Sequence, residues 1–377
     1  MKILILYSSY GGGHVKAAEA LKEYYANEHP DYELQFVDAV KYTSPELNTM
    51  FLKSYVQLSK NLPKAWGKLY NLADKHSTIT DLSTLVNKAV SKKFLHLVTD
   101  FNPDIILCTH SFSVDMLANL KRKNMIKAKL GMVITDYFGH AIWVTQPDIV
   151  DAFFVAQDIM VNQLENYDID ANKVYVTGIP TMKAFSQQHN TSEILEEFGL
   201  KDNMFTILFF PGGEYGLSKN TAIFKDILRL NDVQIITVAG KNEKLKHNLE
   251  KLSEHSSKNV VVLGYTNKIP QILSIADIVI SKPGGLTTTE SIVSTTPIVI
   301  TSPLPGQEEH NSNYILNNGL GYRLFDNTDK LLTLKAIIEN KERLKQVKEM
   351  QKLLAKPNAA RDICETMIKL ANDKIIE

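Results

Sequence analysis

Ser281-Lys282-Pro283-Gly284-Gly285-Leu286-Thr287-Thr288-Thr289-Glu290 follows a short apolar run at 276–280 and precedes residues of helical character at 291–294. Strand, glycine pair and helix start, in that order, aim unpaired backbone N–H groups at an anion. The two glycines let a phosphate come close to the main chain. Thr287 and Thr288 are placed to cap the helix and to add hydroxyl donors. Glu290 then falls about one turn into the helix, where a carboxylate accepts hydrogen bonds from a ribose diol. A strand-to-helix turn that binds nothing can use the same residue types.

Working outward, the same alternation fills the second half of the chain. Apolar runs of strand length at 205–210, 234–239, 260–263, 276–280 and 297–301 are each followed by a polar or glycine-containing loop. Lys- and Leu-rich helical sequence fills 329–354, Pro357 interrupts it, and a last helix is predicted over about 358–375. The first half repeats the pattern, with strands predicted at 2–7, 33–37, 104–109, 129–135, 152–156 and 173–177. Ligands of an open α/β sheet bind beyond the carboxyl ends of its strands. His14, His110, Asp136 and His140 all fall at such ends.

The loop Gly11-Gly12-Gly13-His14 after the first strand is not the G-x-G-x-x-G of a dinucleotide fold, although Asp38 stands where a ribose-binding acid would. Three glycines leave an open backbone concavity with His14 at the start of a helix. A helix N-terminus disfavours imidazolium, so His14 is expected neutral and available as a base. A histidine that merely caps the helix is the plainer alternative. The only closely spaced Asp pair suited to a metal, Asp168-Ile169-Asp170, reads as a helix-start signal, and no metal site is predicted.

The 377 residues suffice for two domains, and 44% apolar with 22% charged residues is the composition of a globular protein. Lys+Arg and Asp+Glu are equal at 42, which gives no case for nucleic-acid binding. Cys108 and Cys364 are far apart and form no Cys-x-x-Cys pair, so neither a disulfide framework nor a zinc site is expected, and a reducing cytoplasm fits. The first residues are too short an apolar run for a secretory leader, and no stretch is long enough to span a bilayer. Residues 44–76 differ from the rest. Phe51, Tyr55, Leu58, Leu62, Trp66 and Leu69 recur every three or four residues, interleaved with Lys53, Lys60, Lys64 and Lys68. Residues 47–129 hold thirteen Lys and Arg against five Asp and Glu. This is the pattern of a surface that lies on anionic lipid, and equally of ordinary amphipathic helices with solvated lysines.

The second half resembles glycosyltransferase family 28, on S-K-P-G-G-L-T-T-T-E at 281–290, P-L-P-G-Q-E-E-H-N at 303–311, G-G-E-Y-G at 212–216, A-G-K-N at 239–242 and L-G-Y at 263–265. In the first half, Y-G-G-G-H-V-K-A-A at 10–18 and T-D-Y-F-G-H-A-I-W at 135–143 resemble the monogalactosyldiacylglycerol synthases and the bacterial diacylglycerol glucosyltransferases. The resemblance implies a GT-B fold: two Rossmann-like α/β domains facing a central cleft. It implies an acceptor and membrane-docking domain at 1–180, a UDP-sugar domain at 205–356, and a C-terminal helix at 357–377 that packs back on the first domain; residues 181–204, polar and without strand pattern, read as the linker plus a short helix.

The resemblance also assigns residues. His14 is the favoured catalytic base and Asp136 the acid of the T-D motif. Gly284, Gly285, Thr287 and Thr288 hold the diphosphate, with Gly212, Gly213 and Gly216 beneath it. Glu290 binds the ribose, Tyr265 borders the uracil, and Gln307 and Asn311 reach the sugar hydroxyls. His140, Trp143, Tyr55, Trp66, Lys60 and Lys64 serve the acceptor and the membrane. Pro211 replaces a glycine common in relatives, and Ala141-Ile142 replaces the Pro-Thr of the plant enzymes. The implied activity is inverting transfer of a hexose, glucose by resemblance to the bacterial branch, from a UDP-sugar to diacylglycerol. No cofactor is implied, since the UDP-hexose is itself a substrate. The implied location is peripheral on the inner face of the cell membrane. The alternatives are an N-acetylglucosamine transferase acting on a polyprenyl-diphosphate precursor and a non-catalytic UDP-sugar sensor.

Overall fold

The computed structural model describes residues 1–9, 12–43, 67–68, 94–212, 220–254 and 256–373. Tyr55, Lys60, Lys64, Trp66, Gly213 and Gly216 lie outside the described residues. The chain divides into two units. The first holds 1–182, 305–307 and 356–377; the second holds 183–304 and 308–355.

The first unit is built on six parallel strands: β1 (Lys2–Tyr7), β2 (Glu33–Asp38), β3 (Ile105–Cys108), β4 (Lys129–Val133), β5 (Ala152–Phe154) and β6 (Val174–Tyr175), in the order β2-β1-β3-β4-β5-β6. A parallel sheet is covered by helices on both faces, so its central strands carry apolar residues without alternation. Ile3, Leu4, Ile5 and Leu6 in β1, and Ile105 and Leu107 in β3, are all fully buried. The helix Gly12–Glu28 turns Ala18, Leu21 and Tyr25 onto one face of this sheet. The C-terminal helix Ala359–Asn372 lies against the same core through Ile363, Cys364 and Met367. Its approach is close enough to require a glycine in β4, since a Cβ at Gly131 would meet Met367 Sδ at 2.8 Å and Leu107 Cδ2 at 2.9 Å. Glu365 on this helix accepts from Tyr24 (2.9 Å) and pairs with His29 Nε2 (2.7 Å) at the far end of Gly12–Glu28.

The second unit repeats the plan with β7 (Phe205–Phe209), β8 (Val233–Val238), β9 (Val260–Leu263), β10 (Ile278–Ser281), β11 (Ile298–Ile300) and β12 (Gly321–Arg323), in the order β12-β11-β10-β7-β8-β9, again all parallel. Its core joins Ile207, Phe209, Phe224, Ile235, Ile278, Ile280 and Val299. Counted from its own first strand, this is the doubly wound order of nucleotide-binding sheets. The first sheet has the related order in which the second strand stands outside the first.

One sequence expectation is corrected and one strand was not foreseen. Residues 183–204 are not a linker: Phe185, Ile194, Leu195 and Leu200 are buried in the second unit, where the helix Thr191–Glu197 and the turn Lys183–Ser186 pack on the helix Ile269–Ile275. The helices expected over 329–354 are present as Lys330–Glu339 and Lys341–Leu354, separated by Asn340, whose Oδ1 accepts from Arg343 N and caps the second. Strand β12 was unforeseen because Gly-Tyr-Arg carries no apolar run. A Cβ at Gly321 would stand 2.2 Å from the Ile298 carbonyl oxygen, so only glycine permits this pairing.

Met367 is fully buried between the C-terminal helix and the first sheet. Met367→Ala is expected to destabilise the first unit by about 2–5 kcal/mol in urea unfolding. A loss below about 0.5 kcal/mol, the range of surface positions, would show that the helix is not part of that core.

Candidate functional site

In each unit the strand order reverses at one place, where an open α/β sheet binds its ligands beyond the strand ends. In the first sheet this place lies between β1 and β3. The chain leaves β1 through Ser8, which is fully buried, and enters the helix Gly12–Glu28 with His14 in its first turn. It leaves β3 through Thr109, whose N–H donates to the Leu6 carbonyl at 3.0 Å and whose side chain is fully buried. These exits put His14 Nδ1 2.8 Å from the Thr109 carbonyl oxygen. A carbonyl can only accept, so Nδ1 carries the ring proton and Nε2 keeps its lone pair. Thr135, after β4, brings its hydroxyl oxygen to 3.2 Å of the same Nδ1, where it takes a weaker branch of that hydrogen bond.

The His14 ring stands edge-on to His110 (centroids 4.8 Å) and tilted to Trp143 (5.6 Å). Burial lowers its pKa to about 4, against the upward pull of the hydrogen bond to Thr109. His14 is therefore neutral, but the cause differs from the sequence argument: desolvation dominates over the helix terminus. His110 is pushed well below its usual value, first by burial and then by the neighbouring His14. Its Nδ1 accepts from Phe112 N at 3.1 Å and caps the helix Ser111–Arg122.

The T-D-x-x-x-H-x-x-W segment folds at the end of β4. Asp136 is buried, and Gln307, which clusters with the first unit, donates its Nε2 to Asp136 Oδ2 at 2.5 Å. His140 is buried, and its Nδ1 accepts from Ile142 N at 3.1 Å, capping the short turn Ala141–Trp143. That cap, rather than an exposed ring, is its place in the structure. Trp143 is 5% exposed, and its indole Nε1 is buried without a hydrogen-bond partner. Asp170 of the Asp168–Asp170 pair caps the turn Ala171–Lys173, its carboxylate accepting from Asn172 N at 2.9 Å.

In the second sheet the reversal lies between β7 and β10. β7 exits through the buried Pro211 and Gly212, whose φ of +96° suits glycine. β10 exits through Lys282, Pro283 and Gly284 into the helix Gly285–Val293, with Gly284 at the cap position and no side-chain cap. This corrects the assignment of Thr287 and Thr288 as caps. The helix begins before them, so both sit inside its first turn. Thr288 N already donates to Gly284 O at 2.9 Å, while its side chain is fully buried with the hydroxyl unpartnered. The N–H groups of Gly285, Leu286 and Thr287 have no intrahelical acceptor, as in any first turn. With the positive end of the helix dipole, they offer the donors and field that an anion would require. Glu290 lies half-buried in the same helix.

The P-L-P-G-Q-E-E-H-N segment leaves β11, the neighbour of β10. Glu308 is pushed up mainly by burial and is opposed by Lys282, whose Nζ is 3.8 Å away; its Oε2 accepts from Leu304 N at 2.6 Å. Arg323 of β12 grips both carboxylate oxygens of Glu309, at 2.7 and 2.9 Å. These bonds fix the start of the helix Gln307–Asn317, in which Asn311 is fully buried. Tyr265 after β9 is 58% exposed, with Lys241 Nζ 5.5 Å from its ring centre. Thr109, Thr135, Glu308, Glu309 and Arg323 were not singled out from sequence. The available signal was position: each lies just after, or in, a strand bordering a reversal point or its neighbour.

Residues 14–181 match the family model for monogalactosyldiacylglycerol (MGDG) synthase, and residues 213–367 match that for the glycosyltransferase family 28 C-terminal domain. The chain is 26% identical over 381 residues to a processive diacylglycerol beta-glucosyltransferase of Bacillus cereus (strain AH187), covering 97% of this chain and 93% of the relative. It is 27% identical over 372 residues to the enzyme of the same name from Bacillus pumilus (strain SAFR-032), covering 98% and 94%. Among solved structures, MurG of Acinetobacter baumannii superposes with a TM-score of 0.65 over 98% of this chain and 99% of its own, at 13% identity, a likeness of fold.

Burial holds His14 well below the usual histidine value, at about 4. In an NMR titration its ring should stay neutral until the pH falls to about 4. Between the ordinary value of 6.5 and about 4 the unfolded chain binds this proton and the folded one does not, so folding stability is lost as the pH falls through that window. A midpoint near 6.5 would place the ring in open solvent.

Proposed function

We propose that this chain, which belongs to glycosyltransferase family 28 in its branch of monogalactosyldiacylglycerol synthases and diacylglycerol glucosyltransferases, transfers glucose from UDP-glucose to diacylglycerol with inversion. The fold is GT-B, two Rossmann-like units, and glycosyl transfer is the activity of the family. The finer reading is supported by similarity along nearly the whole chain to enzymes named for diacylglycerol glucosylation. The observation that carries the mechanism is His14, neutral, with Nδ1 engaged so that Nε2 keeps the lone pair.

Inversion is a single in-line displacement. The acceptor oxygen bonds to the anomeric carbon as the bond from that carbon to the UDP oxygen breaks. The acceptor's proton passes to His14 Nε2, and the bonding pair leaves with UDP. The amides of Gly285, Leu286 and Thr287 meet the charge that grows on the diphosphate, so the step is assigned no metal ion. Glu290 takes the ribose hydroxyls and Tyr265 borders the uracil. Gln307 and Asn311 serve the hexose. Asp136 and Trp143 serve the acceptor side.

Among the described residues no helix is long and apolar enough to cross a membrane. The lipid acceptor therefore calls for reversible docking at the inner face of the cell membrane. The alternating aromatic and lysine residues between Phe51 and Leu69 are assigned to that task.

The decisive assay separates the lipid products formed from labelled UDP-glucose, UDP-galactose or UDP-N-acetylglucosamine with diacylglycerol, with and without EDTA. Glucosyldiacylglycerol formed equally in EDTA is expected; product from UDP-N-acetylglucosamine on a polyprenyl-diphosphate acceptor instead would overturn the reading. His14→Ala should lower kcat by about 10²–10⁴-fold with UDP affinity unchanged. For docking, sedimentation with phosphatidylglycerol vesicles should weaken as salt rises. It should be lost when Lys53, Lys60, Lys64 and Lys68 are replaced by Ser. Unaltered sedimentation of that variant would move the docking surface elsewhere.

A further inference from the structure

A histidine that acts as a base has to be held in one tautomer and one orientation, and a buried carboxylate on Nδ1 is the usual means. Among the described residues none brings a carboxylate to His14 Nδ1. Its Nδ1–H goes to the main-chain oxygen of Thr109. The contact is reciprocal: Thr109 Oγ1 donates to the His14 carbonyl oxygen at 3.0 Å. One residue thus grips both the ring and the backbone of His14. Thr109 is in turn fixed to the sheet by its N–H to Leu6 in β1 and has no exposed surface. The grip therefore ties the first turn of the helix Gly12–Glu28 to two central strands at the point where their order reverses.

The remaining sides of the ring are also occupied. Thr135, 4% exposed, approaches Nδ1, and His110 and Trp143 pack around the ring. Rotation about the His14 side chain would break the Thr109 contact and drive the ring into these neighbours. A misplacement of about 1 Å in a reacting group can cost on the order of a hundredfold in rate.

We propose that Thr109 is a positioning residue for the transfer. Through its carbonyl and hydroxyl together it does the orienting work of the missing carboxylate, aiming His14 Nε2 at the acceptor hydroxyl. The proposal rests on His14 being the base. It assigns a role to the hydroxyl as well as to the main chain, since the hydroxyl holds the backbone from which the ring is hung. Unlike a carboxylate, this partner brings no charge to steady an imidazolium, so its contribution is geometric.

The test compares Thr109→Val, which keeps the shape and removes the hydroxyl, with Thr109→Ser, which restores it. Both are assayed for glucosyl transfer to diacylglycerol alongside His14→Ala and the double variant. The valine variant should lose about 10–100-fold in kcat with the KM for UDP-glucose unchanged, and the serine variant should recover to within about threefold of the parent. In the His14→Ala background the valine change should cost nothing further, because two residues that act as one unit are not additive. If His14→Ala turns over normally, the base assignment itself fails. If His14→Ala is impaired while Thr109→Val keeps the parental kcat, or if the valine loss is undiminished in the His14→Ala background, His14 stands and the positioning role is overturned. Should the valine variant not fold, Thr109→Cys, a weak donor of similar size, supplies the same comparison.

Discussion

A parallel strand can join its neighbour only by a crossover, so every loop that follows a strand emerges at the same edge of the sheet. Both units of this protein obey that constraint, and their chemistry depends on it. Tyr7, Cys108 and Val133 end three neighbouring strands within a residue of one level, and Thr109 and Thr135, which follow the last two, meet at His14, which follows the first. In the second unit Phe209, Ser281 and Ile300 end neighbouring strands, and the glycine-led helix and the helix that opens at Gln307 start beyond them. Neither cluster could be assembled by strands that alternated in direction.

Much of this was legible in the sequence because buried parallel strands are written as unbroken apolar runs, and eleven of them could be read off with ends shifted by one or two residues. The strand that was missed, β12, is an edge strand whose Gly-Tyr-Arg has half-buried side chains. The mistaken linker shows the opposite failure. Residues 183–204 look polar, yet their few apolar side chains, spaced irregularly, are enough to pin the segment onto a neighbouring helix. At the candidate sites the residue types were readable, but not their pairings. Nothing local in Cys-Thr-His announces that Thr109 will grip a histidine ninety-five positions earlier. Thr287 and Thr288 of the glycine loop were misassigned for a subtler reason. Glycine takes the cap position as readily as a hydroxyl residue when a ligand or water can serve the free amides.

The two units solve the problem of charge in opposite ways. The second gathers partial positive charge from aligned amides and braces it with full ion pairs, Lys282 with Glu308 and Arg323 with Glu309. The first withdraws charge, surrounding His14 with a carbonyl, a hydroxyl and aromatic rings. An imidazole, buried or not, does not strip a proton from an alcohol at rest, because the alcohol is by far the weaker acid. It can accept one only as the alcohol oxygen becomes acidic through bonding to carbon. In the proposed reaction the base would thus become competent only once displacement is under way, which would protect an activated sugar from idle attack.

The C-terminal helix has a consequence for biosynthesis. Ile363, Cys364 and Met367 complete a core whose other members include Ile3, Ile5 and Leu21, more than three hundred residues earlier, while the second unit is contained within 183–355 apart from the short excursion at 305–307. A ribosome delivers residues in order, at about 5–20 per second. The second unit thus has nearly all of its core in hand while the first still lacks one wall. The half of the chain made first must finish last, and until the final helix emerges, the face of Leu21 and Tyr25 is exposed to whatever apolar surface, or chaperone, lies nearby.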